Sequence, residues 1–233
     1  MTTDSSPFLF PACKTASVAV QGASARFPVR RIFCVGRNYE EHAKEMGVTP
    51  DKAEPFYFTK YAGAITPSGA KIAYPPGTRD YHYEMELVVA IGAPAFEVKE
   101  ENALDAVYGY ACGLDMTRRD LQLTAREKSR PWDLGKDFEE SAIISEIVPA
   151  SKIGHPAKGA ITLSVNGSLK QSADLSQMIN NTSEIIAHLS RFYHLDAGDL
   201  IYTGTPAGVG AVAPGDEITG RIDGVGEISL TIR

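Results

Sequence analysis

Three acidic residues in two separate segments are the strongest candidates for chemistry in this sequence. Glu84 and Glu86 lead into the apolar run Leu87–Ile91, and Asp115 ends a second apolar run. Because strand side chains alternate between two faces, Glu84 and Glu86 are predicted to point to the same side, with His82 one step earlier. Burying carboxylates is costly unless a cation lies between them. Oxygen ligands without cysteine favour Mg²⁺ or Mn²⁺ over Zn²⁺.

The same acidic pattern has a more ordinary interpretation. The end of a strand often lies in water, and acidic residues there need no ion. A lone histidine such as His82 is also more often a hydrogen-bonded structural residue than a metal ligand. Spacing alone therefore leaves both a metal site and a solvated strand end open.

A histidine and a glutamate form a second candidate pair. His42 and Glu45 lie three residues apart in a predicted helix, residues 37–47, so both face the same side. A carboxylate beside an imidazole fixes its tautomer and raises its basicity, which suits a general base acting on water. The alternative is an ordinary exposed helix pair, which the spacing by itself favours.

Several further residues are able to bind a substrate carboxylate. The basic or amide-bearing side chains among them are Arg37, Arg119, Gln122 and Lys136. A loop rich in small residues, 202–210, is a further candidate and includes Thr205. The loop lacks the glycine spacing of a dinucleotide site, although its backbone amides could hold a carboxylate. Solvated surface is the default interpretation for each of the side chains.

The elements that must position these residues are many short strands and few helices. Strands are predicted at Ser17–Val20, Ile32–Val35, Phe56–Thr59, Lys71–Ala73, Leu87–Ile91, Val107–Leu114, Ile161–Val165, Leu169–Gln171, Leu200–Tyr202, Glu217–Ile222 and Ile228–Ile232. Asn166-Gly167 is typical of a two-residue hairpin turn. This pattern predicts a mixed-β fold with short helices (α+β) in a single domain.

Three helix starts are predicted from residues that cap helices. Asn38 with Glu41 and Asn181 with Glu184 have the spacing of a capping box, and Thr117 precedes a polar helix that extends to about residue 127. After Asn181, the apolar residues Ile185, Ile186, Leu189, Phe192 and Tyr193 are predicted to form a core stripe. Residues 129–137 have the composition of a loop.

Composition narrows the function classes. The chain has 233 residues and a net charge of −6, and no run of Lys and Arg indicates nucleic-acid binding. No apolar stretch approaches the ~20 residues of a membrane helix, and the start Met1-Thr2-Thr3-Asp4 lacks a signal-peptide pattern. Three widely spaced cysteines are expected to be reduced thiols. These observations predict a cytoplasmic protein.

Taken in order, these motifs resemble the fumarylacetoacetate hydrolase family over nearly all of the chain after the first thirty residues. The residues that carry the resemblance are Cys34 to Tyr39 with His42 and Glu45, His82 to Leu87, Gly109-Tyr110, Leu114 to Asp120 with Gln122, Pro131-Trp132, Lys136, Gly198 to Pro206 and Gly208 to Gly210. The resemblance implies a β-rich catalytic domain at residues 31–233, after an N-terminal extension at 1–30 with one strand. It also implies a homodimer with Mg²⁺, or Mn²⁺, held by Glu84, Glu86 and Asp115.

The resemblance further implies hydrolysis of the carbon–carbon bond of an acylpyruvate, a small diketo acid. His42 and Glu45 would activate water, and Lys136 would contact the substrate or its enolate. Arg37, Tyr39, Arg119, Gln122 and Thr205 are the expected substrate-binding residues. A basic, amide-bearing pocket suits a dicarboxylate, so we expect fumarylpyruvate to be the substrate.

Two kinds of alternative stay open at this stage. The same chelate and enolate chemistry would serve oxaloacetate decarboxylation, or isomerisation and decarboxylation of a dienoate. A non-catalytic module that binds a structural divalent ion is the alternative from another class. Such a module would not need His42, Glu45 and Lys136 near the ion, so their positions discriminate between the two classes.

Overall fold

The computed structural model of the chain describes residues 8–45, 47 and 54–233. The strands are β1 (Ser17–Val18), β2 (Phe27–Pro28), β3 (Arg31–Gly36), β4 (Phe56–Lys60), β5 (Ile65–Pro67), β6 (Ala70–Ile72), β7 (Tyr81–Tyr83), β8 (Met85–Ile91), β9 (Val107–Asp115), β10 (Thr117–Arg118), β11 (Ala142–Ile144), β12 (Val148–Pro149), β13 (Ala160–Val165), β14 (Ser168–Asp174), β15 (Asp199–Tyr202), β16 (Gly210–Val212), β17 (Glu217–Ile222) and β18 (Gly226–Ile232). The α-helices are α1 (Glu40–Glu45), α2 (Arg119–Glu127), α3 (Asp133–Lys136), α4 (Ala150–Ile153) and α5 (Thr182–Leu189). Short 3₁₀ helices cover Ala62–Ala64, Glu100–Ala106 and Leu175–Gln177.

The strands form two large sheets and two small ones. The largest sheet has the order β4-β3-β15-β8-β9-β11-β5, with β12 also paired to β9. A five-stranded sheet has the order β14-β13-β17-β18-β6, and β10-β7-β16 and β1-β2 form the small sheets. This arrangement confirms the predicted β-rich fold with short helices.

The largest sheet is buried on both faces. Along β3, Phe33 and Val35 contribute to one hydrophobic cluster, whereas Ile32 and Cys34 contribute to the other. The first cluster includes the five-stranded sheet and α5, and the second includes residues 18–29 of the chain. Burial of both faces explains why the strands of this sheet are continuously apolar. The division of the chain at residue 30 stays a prediction.

Two local predictions are confirmed. Asn166 and Gly167 have φ values of 50° and 77°, as a two-residue turn between β13 and β14 requires. Asn181 caps α5, because its side chain accepts from the Glu184 N–H and the Glu184 side chain accepts from the Asn181 N–H. Both features depend on residues that are adjacent in sequence.

Three other local predictions are wrong. Asn38 does not cap α1, because its side-chain amide donates to the carbonyls of Asn180 and Thr203. Thr117 lies in β10 and donates to the Asp115 carbonyl, so α2 begins two residues later without a side-chain cap. The apolar stripe of α5 ends with the helix at Leu189, beyond which Phe192 and Tyr193 are exposed.

The other predicted boundaries differ only at their ends. Residues 129–137 are mainly loop but contain α3, which carries Lys136. The predicted end of the first helix includes Met46, which lies outside the described residues. No helix within the described ranges has the length and apolar content that a bilayer crossing requires.

Candidate active site

Strand pairing brings the three predicted acidic residues together. In the antiparallel pair of β8 and β9, Glu86 lies opposite Gly113. The Asp115 N–H donates to the Glu84 carbonyl oxygen at 2.9 Å, which places the ends of the two strands side by side. One carboxylate oxygen from each of Glu84, Glu86 and Asp115 lies within 4.8 Å of the others, and all three residues are buried. This close approach of Asp115 to the glutamate pair allows the three carboxylates to share one cation.

Lys136 lies between two of these carboxylates. Its Nζ atom is 2.7 Å from Glu84 Oε2 and 2.7 Å from Asp115 Oδ2, and it donates to Thr117 Oγ1 at 2.7 Å. Burial lowers the pKa of Lys136. The negative charges of Asp115 and Glu84 raise it by more, so the pKa of Lys136 lies above its ordinary value. All three donors of the ammonium group are therefore engaged.

Arg119 holds the other oxygen of Glu84. Its guanidinium donates to Glu84 Oε1 and to the side-chain oxygen of Gln122. Burial raises the pKa of Glu84, but the positive charges of Lys136 and Arg119 outweigh burial and hold it well below its usual range. Glu84 is therefore ionised and paired on both oxygens.

Glu86 is in a different electrostatic environment. Its Oε2 accepts from the Gly204 N–H at 2.8 Å. Burial, together with the charges of Asp115 and Glu84, raises the pKa of Glu86 well above its ordinary value. Gly204 has a φ of +95°, and a Cβ there would lie 2.7 Å from the Cβ of Asn38, so only glycine allows this approach.

The donor set fits a hard divalent cation. The three buried carboxylates repel one another, and this repulsion contributes to the raised pKa of Glu86. A divalent cation between the carboxylates would remove the repulsion. A set of oxygen ligands alone is typical of Mg²⁺ or Mn²⁺ sites.

Lys60, the last residue of β4, belongs to the site but was not among the residues predicted from the sequence. Its buried Nζ atom lies 2.9 Å from Asp115 Oδ1 as an ion pair and donates to the carbonyls of Met116, at 3.2 Å, and Lys136. In the sequence, a lysine at the end of a predicted strand is typical of a solvated position. No local signal distinguishes Lys60 from such a residue.

His42 and Glu45 form the predicted pair. Nδ1 of His42 lies 3.0 Å from Glu45 Oε2, and the Gly208 N–H donates to the Glu45 carboxylate at 3.2 and 3.3 Å. Burial raises the pKa of Glu45, but the hydrogen bonds from His42 and Gly208 bring it below its ordinary value. A proton on Nδ1 held by Glu45 leaves Nε2 of His42 as the basic atom.

One cleft brings most of the predicted residues together. Its walls include the predicted residues Arg37, His42, Glu84, Glu86, Arg119, Gln122, Lys136 and Thr205. Asp115 is fully buried and is not among the residues that line the cleft.

The structure does not bring Tyr39 to this cleft. Tyr39 is 2% exposed, and it lines a separate cavity with Met178 and Pro206. Its hydroxyl has no hydrogen-bond partner in the described part of the chain, and burial raises its pKa. Glu84, Glu86 and Asp115 form what we call the acidic cluster, and His82 is not part of it. The His82 ring instead contacts Asp80 at 2.8 Å and Arg119 at 3.4 Å.

The cleft also contains residues that the sequence analysis did not select. These are Arg126 of α2 and an aromatic pair formed by Trp132 and Phe58, whose ring centres lie 5.8 Å apart. Lys136 Nζ lies 4.9 Å from the centre of the Phe58 ring. Helical spacing could have indicated Arg126, because it follows Arg119 and Gln122 at i+7 and i+4 on the same face.

Comparisons with known proteins show what this chain is similar to. The family model described as "Fumarylacetoacetate (FAA) hydrolase C-terminal" matches residues 31–233. The chain is 59% identical to a fumarylpyruvate hydrolase from a Ralstonia species, over 80% of this chain and 98% of that protein. It is 45% identical to the mitochondrial oxaloacetate tautomerase FAHD1 of Rattus norvegicus, over 84% of this chain and 88% of that protein. The crystal structure of fumarylpyruvate hydrolase from Pseudomonas aeruginosa, in complex with Mn²⁺ and pyruvate, is similar with a TM-score of 0.95 at 48% identity, over 97% of this chain and 99% of that chain.

Proposed function

The chain belongs to the fumarylacetoacetate hydrolase family of enzymes, and we propose that it hydrolyses a carbon–carbon bond of an acylpyruvate, with fumarylpyruvate as substrate and fumarate and pyruvate as products. The observation that carries this proposal is the convergence of Glu84, Glu86, His42 and Lys136 on one cleft, with a carboxylate oxygen of Asp115 within 4.8 Å of those of the two glutamates. A non-catalytic ion-binding module would not need a buried imidazole and ammonium group at that position. The relatives named fumarylpyruvate hydrolase support the choice of substrate.

The proposed metal ligands are Glu84, Glu86 and Asp115, with Mg²⁺ or Mn²⁺ as the ion. When bound, the cation would supply Lewis-acid binding of the substrate carboxylate and 2-oxo group and would stabilise negative charge on the pyruvate portion. The P. aeruginosa relative, which was crystallised with Mn²⁺ and pyruvate, supports this assignment.

His42 is the proposed general base. With Nδ1 held by Glu45, its Nε2 atom removes a proton from water, and the resulting hydroxide attacks the C4 carbonyl of the substrate. The C3–C4 bond then breaks, and its electron pair remains on the pyruvate portion as an enolate. A proton from His42 or water returns to C3, which gives pyruvate and the free acid.

Lys136 is the proposed electrostatic partner of the enolate. All of its donors contact Glu84, Asp115 and Thr117 in this structure, so a contact with substrate requires it to exchange one of these bonds. The buried site strengthens any charge interaction that Lys136 makes. Thr205, Gln122 and Arg119 line the same cleft and are the proposed contacts for the substrate.

Oxaloacetate is the second candidate substrate. The relative named oxaloacetate tautomerase favours it, because oxaloacetate presents the same 2-oxo carboxylate to the acidic cluster. A tautomerisation or decarboxylation needs no attacking water, so the ordered pair of His42 and Glu45 favours hydrolysis as the main reaction.

We also propose a cytoplasmic homodimer, which sedimentation would reveal as a particle with twice the mass of one chain.

A substrate panel tests the proposed function. Fumarylpyruvate, acetylpyruvate and oxaloacetate are assayed with the purified protein, with and without a chelator, and after Mg²⁺ or Mn²⁺ is returned. We expect fumarylpyruvate to be cleaved fastest, with activity lost in chelator and restored by either metal. Faster turnover of oxaloacetate, or hydrolysis that survives complete metal removal, would contradict the proposal.

A further inference from the structure

The cations around the cleft differ in how they are engaged. Lys60, Lys136 and Arg119 each contact a carboxylate of the acidic cluster. Arg37, directly after β3, makes no ion pair within the described part of the chain, and its guanidinium lies 5.4 Å from the centre of the Phe56 ring. A half-buried guanidinium held over an aromatic face in a cleft is well placed to receive an anion.

Arg126 reaches the same cleft from α2. Arg119, Gln122 and Arg126 lie on one face of this helix, and all three line the cleft. Arg119 contacts Glu84 at one end, and Arg126 lies two turns further along, roughly 10 Å away at 1.5 Å per residue. Helix α2 therefore extends along the cleft from Arg119, beside the acidic cluster, to a second positive charge at Arg126.

Arg37 and Arg126 are close enough to influence each other. Burial lowers the pKa of Arg37, and the positive charge of Arg126 lowers it further. Like charges that face one cleft repel, and an anion between them removes the repulsion. A carboxylate suits two guanidiniums, because each offers N–H donors in a planar fork.

We propose that Arg37 and Arg126 form a subsite for the distal carboxylate of the substrate, so that the enzyme selects acylpyruvates whose acyl group ends in a carboxylate. This inference rests on the proposed function, and it assigns the distal carboxylate to Arg37 and Arg126 and not to the other expected substrate-binding residues Tyr39, Arg119 and Gln122. Arg119 and Gln122 are engaged near Glu84, and Tyr39 lines another cavity.

Substrate length and charge both support this subsite. The terminal carboxyl carbons of fumarylpyruvate are six bonds apart, roughly 7 Å in an extended chain, whereas those of oxaloacetate are only about 4 Å apart. Only the longer dianion spans from the acidic cluster toward Arg126. Lys60, Lys136 and Arg119 already pair with Glu84 and Asp115, so among the described basic residues Arg37 and Arg126 are the ones placed to meet the distal carboxylate of a dianionic substrate.

A binding experiment without turnover tests the subsite. The ligands are 2-oxopimelate and 2-oxoheptanoate, which share a seven-carbon chain and a 2-oxo carboxylate and differ in the terminal carboxylate. Dissociation constants are measured by calorimetry with Mn²⁺ for the wild type, Arg126→Gln, Arg37→Gln and the control Arg130→Gln, which removes an exposed arginine just beyond α2. We expect each cleft variant to reduce the preference for 2-oxopimelate about tenfold or more, with 2-oxoheptanoate affinity unchanged within twofold.

The control and a charge-conserving variant complete the test. Arg130→Gln is expected to keep the wild-type preference, and Arg126→Lys to keep part of it. An unchanged preference in Arg126→Gln, or an equal loss for both ligands, would overturn the inference. Since neither ligand has the cleavable diketone, this outcome is independent of the hydrolysis assay, and failure of that assay alone would count against the proposed function.

Discussion

Nζ of Lys60 lies 2.9 Å from Oδ1 of Asp115, and neither side chain is exposed to solvent. Lys60 also donates to the carbonyls of Met116 and Lys136, so it connects β4 to the end of β9 and to α3. A lysine is rarely fully buried unless it is paired in this way. Lys60 therefore belongs to the charge balance of the cleft although it does not line the cleft.

Replacement of Lys60 should destabilise the fold. Lys60→Met leaves Asp115 with an uncompensated oxygen and two carbonyls without their donor, so we expect a loss of about 3 kcal/mol in the free energy of unfolding. Denaturant titration measures this loss. Lys99→Met is the matched control, because Lys99 is exposed and should show no measurable change. Equal stability of both variants would show that the Lys60–Asp115 pair is not structurally important.

Replacement of His42 should separate binding from hydrolysis. His42→Ala removes the proposed base but none of the proposed metal ligands, so Mn²⁺ and pyruvate should still bind while kcat falls about 100-fold or more. Calorimetry and a hydrolysis assay measure the two effects. Glu41→Gln, an exposed change in the same helix, should retain activity. Hydrolysis by His42→Ala at the wild-type rate would remove His42 from the mechanism.

Glu86 offers the cleanest test of the metal site. The Glu86 carboxylate accepts a hydrogen bond from the Gly204 N–H, and a glutamine oxygen can accept the same bond. Replacement of Glu84 would also break its ion pairs with Arg119 and Lys136. Saturating Mn²⁺ should stabilise the wild type by about 2.7 kcal/mol at 100 times its Kd. Glu86→Gln should lose most of this stabilisation in thermal unfolding, whereas the exposed change Glu101→Gln should keep it. Unchanged Mn²⁺ binding in Glu86→Gln would exclude Glu86 from the ligand set.

Asn38 should be necessary for both stability and the position of α1. Its side chain joins the start of this helix to Asn180 and Thr203 through three hydrogen bonds of 2.8 Å. Asn38→Ala leaves buried backbone groups unpaired, and we expect a loss of about 2 kcal/mol or more with a lower kcat. The exposed residue Asn102 provides the control variant Asn102→Ala. Wild-type stability of Asn38→Ala would show that water replaces these bonds without cost.

Sequence reasoning succeeded where the deciding contacts are local. The Asn166-Gly167 turn and the Asn181 capping box each involve residues within three positions, so composition alone predicts them. It failed where a capping residue is used in a long-range contact. Asn38 and Thr117 are both able to cap a helix, but tertiary hydrogen bonds engage their side chains instead.

The sequence by itself determined the family, the fold class and the chemical types of the candidate site residues, because ordered motifs and strand patterns are properties of the chain. Only the tertiary structure decided which of these residues meet. The pairing of β8 with β9 places Glu84 beside Asp115, and the buried Lys60 adds a positive charge beside Asp115. One face of α2 brings Arg126 to the cleft, whereas Tyr39 lines a different cavity. These contacts join residues that are far apart in the chain, and the free energy that selects them comes from packing the whole core.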